Sequence, residues 1–148
     1  MRIVLDTASL ISAVRSSNGA AAEVVRLALL EQLTLLMDYK LVCEYRDVAL
    51  RLQHLGASGK TPEDMNAVID ALESIAQPVF VEIRHRPLSQ DKNDDMVLDI
   101  AINGYADVVI TNNVKDFTPA AARFGIRVQT PKEFLTEIRK RGFYHAGE

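Results

Sequence analysis

The sequence predicts an α/β fold on a parallel sheet of about five strands. Two short apolar runs, Ile3-Val4-Leu5 and Val108-Val109-Ile110, lack the polar alternation of a sheet with one wet face, as strands covered on both sides do. Segments with helical spacing separate the strand-like runs along the chain. Such alternation implies parallel pairing through right-handed crossovers. With 148 residues, 48% of them hydrophobic, a single domain over 1–148 can bury its core without disulfides.

A first strand ends at Asp6, and residues 20–31 then carry apolar side chains at helical spacing. Leu33 to Met37 reads as the second strand. Asp38 is placed to cap a helix whose stripe is Leu41, Tyr45, Val48 and Leu52, closed by Gly56 and Gly59. Thr61-Pro62-Glu63-Asp64 is a helix start, with a capping hydroxyl, Pro at the first helical position and an acid three residues after the cap. That helix should reach about Ala76. Val79 to Ile83 alternates and reads as a third strand nearer an edge. Residues 91–103 form a helix that opens on acids and stops at Asn103-Gly104, a left-handed stop signal. The fourth strand is Val108 to Ile110 and the fifth Ile126 to Val128. Thr130-Pro131-Lys132-Glu133 begins a last helix ending near Gly142.

Composition excludes several functions. The single cysteine, Cys43, rules out an internal disulfide and any multi-Cys zinc site, and reads as a small packing residue. His54, His85 and His145 lack metal-ligand spacing. No uncharged stretch exceeds eight residues, far short of a membrane span, and Asp6 interrupts the first apolar run before a signal peptide could form. A cytoplasmic location is expected. A net charge of −3 excludes a simple basic sleeve for nucleic acid, but not a nuclease whose carboxylates await a cation.

In open α/β sheets the functional crevice lies beyond the carboxyl ends of the strands. Asp6 follows the first strand, and Thr111-Asn112-Asn113 with Asp116 follows the fourth. Each acid is also a plausible helix cap. Glu44 falls on the margin of its helix's apolar stripe, where a carboxylate needs a partner or a route to solvent. Asp94 shares a face with Leu98 and Ala101 and points toward the core, whereas Asp95 and Asp99 share another face expected to meet water. Four acids from four segments, without histidine, suit a hard cation such as Mg²⁺ or Mn²⁺. Magnesium favours few carboxylates together with phosphate oxygens, so the chemistry points to phosphodiesters.

The same residues resemble the PIN-domain nucleases, and within them the VapC-like toxins of bacterial toxin–antitoxin pairs. The likeness begins at Ile3-Val4-Leu5-Asp6-Thr7, continues through Leu10-Ile11-Ser12-Ala13 and Asn18-Gly19-Ala20, and then takes in Glu44-Tyr45. It resumes at Asp94 with Leu98 and Ala101, runs from Ala106 to Phe117, and ends on Gly125-Ile126 and Thr130 to Phe134. By resemblance the fold is a three-layer sheet in the order 3-2-1-4-5, and Asp6, Glu44, Asp94 and Asp116 are the catalytic, metal-binding quartet, supported by Thr7, Thr111 and Asn113. Ala8 departs from the family's usual Asn, and Ser9 is a candidate substitute.

The reaction so implied is Mg²⁺- or Mn²⁺-dependent hydrolysis of RNA. Asp6 and Asp94 are the direct ligands, Asp116 a ligand or water-mediated contact, and Glu44 a water-positioning base or outer ligand. Lys92, Lys115, Arg15 and Arg46 are candidates for phosphate contacts, and Arg84-His85-Arg86 and Arg139-Lys140-Arg141 for guiding RNA. The partners implied are a small antitoxin lying over the acids, anchored in a groove between 20–31 and 41–52, and a second copy in a homodimer. The alternatives are a PIN-fold RNA- or protein-binding module with weakened catalysis, and a housekeeping RNA-processing nuclease. A phosphoaspartyl phosphatase would want Asp-x-Asp where Asp6-Thr7-Ala8 stands. A signalling receiver would want an acid after the third strand, where Arg84-His85-Arg86 stands.

Overall fold

The structure, a computed structural model, describes residues 1–51, 59–86, 88 and 91–142. In chain order the elements are β1 (Arg2–Leu5), α1 (Thr7–Arg15), α2 (Ala20–Leu29), β2 (Thr34–Met37), α3 (Tyr39–Ala49), α4 (Pro62–Ile75), β3 (Gln77–Pro78), α5 (Lys92–Asn103), β4 (Val108–Ile110), α6 (Val114–Ala122), β5 (Arg127–Gln129) and α7 (Pro131–Lys140). Every strand pair is parallel, in the order β3-β2-β1-β4-β5. Ile3, Val4, Leu5 and Val108 to Ile110 are fully buried, as strands covered by helices on both faces require. No helix among the described residues is long and apolar enough to cross a membrane.

Local chemistry explains the helix boundaries. Asp38, Thr61 and Thr130 each accept a backbone N–H near the start of their helix, and Thr61 with Asp64 closes a reciprocal capping box. Leu52 and Gly56 lie outside the described residues. Two helices had no counterpart in the strand and helix pattern: α1, opened by Asp6, and α6, opened by Asn113.

Three expectations need correction. The third strand is Gln77–Pro78, not Val79 to Ile83. Beyond Val79, whose N–H still reaches the Met37 carbonyl, the Asn103 carboxamide replaces a neighbouring strand. Its oxygen accepts the Glu82 and Ile83 N–H groups, and its nitrogen donates to the Ile83 carbonyl. Gly104 is not left-handed, with φ at −92°, and the turn is taken by Tyr105 at +54°. Glycine is needed at 104 for space, since a Cβ there would stand 2.8 Å from the Ile100 carbonyl oxygen and 2.8 Å from a Val79 methyl. Finally, the groove expected between 20–31 and 41–52 is filled by α4, which packs on both α2 and α3 and buries Met65, Ile69 and Leu72.

Candidate functional site

Register places the first two groups. Leu5 pairs with Ile110 across β1 and β4, so the next residues, Asp6 and Thr111, emerge side by side at the carboxyl edge. Asp6 is 6% exposed, and both its oxygens are engaged. Oδ1 accepts the Ser9 N–H at 2.9 Å, capping α1, and Oδ2 accepts the Thr111 hydroxyl at 2.6 Å. The Asn113 N–H donates in turn to Thr111 Oγ1 at 2.9 Å. Asp6 is therefore both a cap and a fixed carboxylate aimed at the crevice. Beneath it the Tyr45 hydroxyl donates to the Leu5 carbonyl at 2.6 Å, and burial with the nearby Asp6 and Asp38 charges holds that phenol well above its ordinary pKa.

Three helices close a cleft of about 430 Å³ over this edge. From α1 come Thr7, Ala8, Ser12 and Arg15, from α3 Glu44 and Val48, and from α5 Asn93, Asp94 and Val97. Asn113 also lines it, so Thr7 and Asn113 share the cleft with Asp6. Asp116 does not. It lines an adjoining cleft of about 750 Å³ with Asp91, Lys92 and Lys115, and Asn93 and Asp94 line both. Asp6, Glu44 and Asp94 line one cleft, and Asp94 and Asp116 the next.

Electrostatics tie the two clefts together. Burial pushes the Asp94 carboxyl up from 3.8 to about 6, reinforced by the charges of Asp91, Asp116, Asp6 and Asp95. Excess negative charge of this kind favours a cation. Among the described residues no three His, Cys, Asp or Glu side chains converge into a ready-made cage. The donors are nevertheless all hard oxygens, and the set fits an ion held by one or two carboxylates and water, as Mg²⁺ and Mn²⁺ prefer.

Several expectations change at this level. Asp99 does not meet water: it is 6% exposed and pairs with Arg86 through two hydrogen bonds of 3.0 Å, while Asp95 lies 3.7 Å from the same guanidinium. The charge of Arg86 is thereby matched within the fold. Arg46 is likewise matched by Asp70 and Glu73 and lines neither cleft. The triplet Arg139-Lys140-Arg141 ends a helix running back from the carboxyl edge, so it lies at the opposite end of the sheet, with Arg141 paired to Glu137. Ser9, the candidate substitute for a polar residue at Ala8, is fully buried and does not line the cleft, and its hydroxyl has no hydrogen-bond partner among the described residues. Ser12, one helical turn beyond Ala8, lines the cleft instead. Sequence reasoning missed Ser12 and Asn93. For Asn93 the available signal was its place beside Asp94 in the first turn of α5.

The profile of the PIN domain matches residues 2–115. Among curated proteins, none matches the chain in sequence. Among solved structures, the chain is similar to the crystal structure of VapBC2 from Rickettsia felis bound to a DNA fragment from their promoter, at 15% identity and a TM-score of 0.58, covering 88% of this chain and 98% of that one. At that identity the likeness speaks to the fold, and it agrees with the 3-2-1-4-5 sheet. The profile match spans β1 to the start of α6, and with it the chain belongs to the PIN domain family.

Proposed function

We propose that this protein is a divalent-metal-dependent endoribonuclease, the toxin of a toxin–antitoxin pair, formed as a single PIN domain over residues 1–148. The observation that carries the reading is the meeting of Asp6, Glu44 and Asp94 on one cleft, with Asp116 next to it. Asp6 and Asp94 would hold Mg²⁺ or Mn²⁺, with Asp116 and Glu44 as further or water-mediated ligands. When bound, the ion supplies positive charge to the phosphate and lowers the pKa of a water molecule.

The chain's own residues prepare the rest. The Thr111 hydroxyl and Ser9 N–H lock the Asp6 carboxylate in one orientation, so no reorganisation is needed there as charge develops. Glu44, half-buried on the wall facing α1, is the group proposed to orient the attacking water and take its proton. Arg15 in the first cleft and Lys115 in the second are placed to meet phosphate oxygens.

Family membership and the likeness to VapBC2 support an antitoxin partner, which would place a cationic side chain among the acids and exclude RNA. A homodimer in the cytoplasm completes the reading. One observation favours the alternative of a binding module: Ala8 lines the cleft where the resemblance expects a polar residue. An RNA-cleavage assay with Mg²⁺ or Mn²⁺ separates the two. Cleavage should vanish with chelator and in Asp6→Asn, a change that keeps a capping side chain while removing the charge. Cleavage that survives both overturns the carboxylate mechanism, and no cleavage by the unmodified protein favours the binding module. Co-expression with the product of an adjacent small gene should relieve growth arrest. Absence of any arrest removes the toxin assignment and leaves the nuclease to the cleavage assay.

A further inference from the structure

Beside the acidic clefts, at the same carboxyl edge, lies a small cavity of about 130 Å³ of opposite character. Four cations, Lys40, Arg84, Arg86 and Lys92, and two carboxylates, Asp38 and Asp99, line it. The carboxylates are already engaged: Asp38 accepts the Leu41 N–H at 2.8 Å to cap α3, and Asp99 holds Arg86. The side chains of Lys40, Arg84 and Lys92 have no ion pair or hydrogen bond among the described residues. They come from three separate segments, the start of α3, the connection after β3 and the start of α5, in a chain whose net charge is −3. Like charges gathered without partners repel, and an anion between them relieves that repulsion.

The connection carrying Arg84 is held on both sides. Asn103 binds the backbone at Glu82 and Ile83, and Arg86 is clamped to Asp99. Arg84 is thus presented by a pinned segment. Lys92 lines both this cavity and the cleft that holds Asp94 and Asp116, which makes the two neighbours.

We propose that the cavity bounded by Lys40, Arg84 and Lys92 binds backbone phosphate of a single-stranded RNA whose scissile bond lies over the acidic clefts. This rests on the nucleic-acid reading above. The cavity suits one phosphate and its water better than a base, so it fixes the path of the strand without selecting its sequence. An acidic protein segment would also match the cations, but it would be repelled by the carboxylates next door. A phosphodiester strand is drawn to both places once a divalent cation occupies the acids.

The test compares the unmodified protein, a Lys40→Ala/Arg84→Ala variant and a Lys132→Ala/Lys140→Ala control on α7. Binding of a short fluorescent single-stranded RNA is titrated with Ca²⁺ present to occupy the acids, at several salt concentrations, beside a glutamate-rich peptide of similar charge. The cavity variant should bind RNA about tenfold more weakly, and its slope of log affinity against log salt should be shallower by about 0.7, the loss of one single-strand phosphate contact. The control should change neither, and all three proteins should melt alike. Equal losses in variant and control, an unchanged salt slope, no RNA binding by the unmodified protein, or tighter binding of the peptide would each overturn the proposal. Cleavage is measured separately on the same proteins. RNA binding that depends on Lys40 and Arg84 without any cleavage would end the nuclease reading and keep the cavity. Asp6-dependent cleavage unaffected by the cavity variant in affinity or rate would do the reverse.

Discussion

Replacing Asp94 by Asn should stabilise the metal-free protein at neutral and alkaline pH. The rise of its carboxyl from 3.8 to about 6 means that ionisation is resisted in the folded state. At about 1.36 kcal/mol per pH unit the full penalty is about 3 kcal/mol. Asp94 is only half-buried, so solvent screening reduces this to about half. Its position in the first turn of α5 returns about 0.5 kcal/mol through the helix dipole, which Asn loses. The net gain is about 1 kcal/mol, or about 2–4 °C in melting temperature for a chain of this size. The sign follows from linkage: a raised folded-state pKa favours the native protein below 3.8, and that advantage is lost as pH rises through about 6. The gain of Asn over Asp should accordingly be absent near pH 3.5, grow between pH 4 and 6, and be complete by pH 8. Thermal unfolding of both proteins in chelator across this range measures it. Adding Mn²⁺ should close or invert the gap, since an ion at a hundredfold over its dissociation constant stabilises the liganded form by about 2.7 kcal/mol. A variant less stable than the parent at pH 8, or a difference independent of pH, would refute the account of crowded carboxylates.

Thr111→Val should cost about 1–3 kcal/mol and lower any cleavage rate, because it strips a partner from buried Asp6 and from the Asn113 N–H, while Thr111→Ser should restore the rate. Gly104→Ala should lower stability by about 1–3 kcal/mol in denaturant unfolding, since the added carbon meets the immobile Ile100 carbonyl. Tyr45→Phe should cost about 0.5–1.5 kcal/mol at constant shape, through the lost bond to the Leu5 carbonyl, and a neutral result would show that bond to be dispensable.

Much of this architecture was legible because its signals are local. Ile3 to Leu5 and Val108 to Ile110 announce buried strands by unbroken apolarity, and the polar residue ending each run marks the crevice. Asp94 and Glu44 could be placed from helical spacing alone. What escaped depends on partners distant in sequence. Asp99 looked solvated because Arg86 reaches it from a connection rather than from its own helix. The residues after Pro78 looked like a strand because alternation cannot reveal that a side chain, Asn103, takes their hydrogen bonds. Helix α1 is visible in the sequence only through the capping reading of Asp6, since one residue can close a strand and open a helix. Asp116 reads as a site residue from its place after the fourth strand as well as by resemblance, and the geometry sets it in the neighbouring cleft, close enough to act on the Asp94 charge.

The double duty of Asp6 shapes how such a protein would lose its activity under mutation. Removing its side chain unseats the start of α1 and strands the Thr111 hydroxyl, so most substitutions there should sacrifice solubility and abundance together with the proposed chemistry. Asp94 has the opposite accounting, because discharging it relaxes the fold. On the proposed function, in a population selected for inactive copies, the surviving lesions should therefore collect at Asp94, where a well-folded chain would persist. Lesions at Asp6 should be cleared by proteolysis along with the protein that carries them.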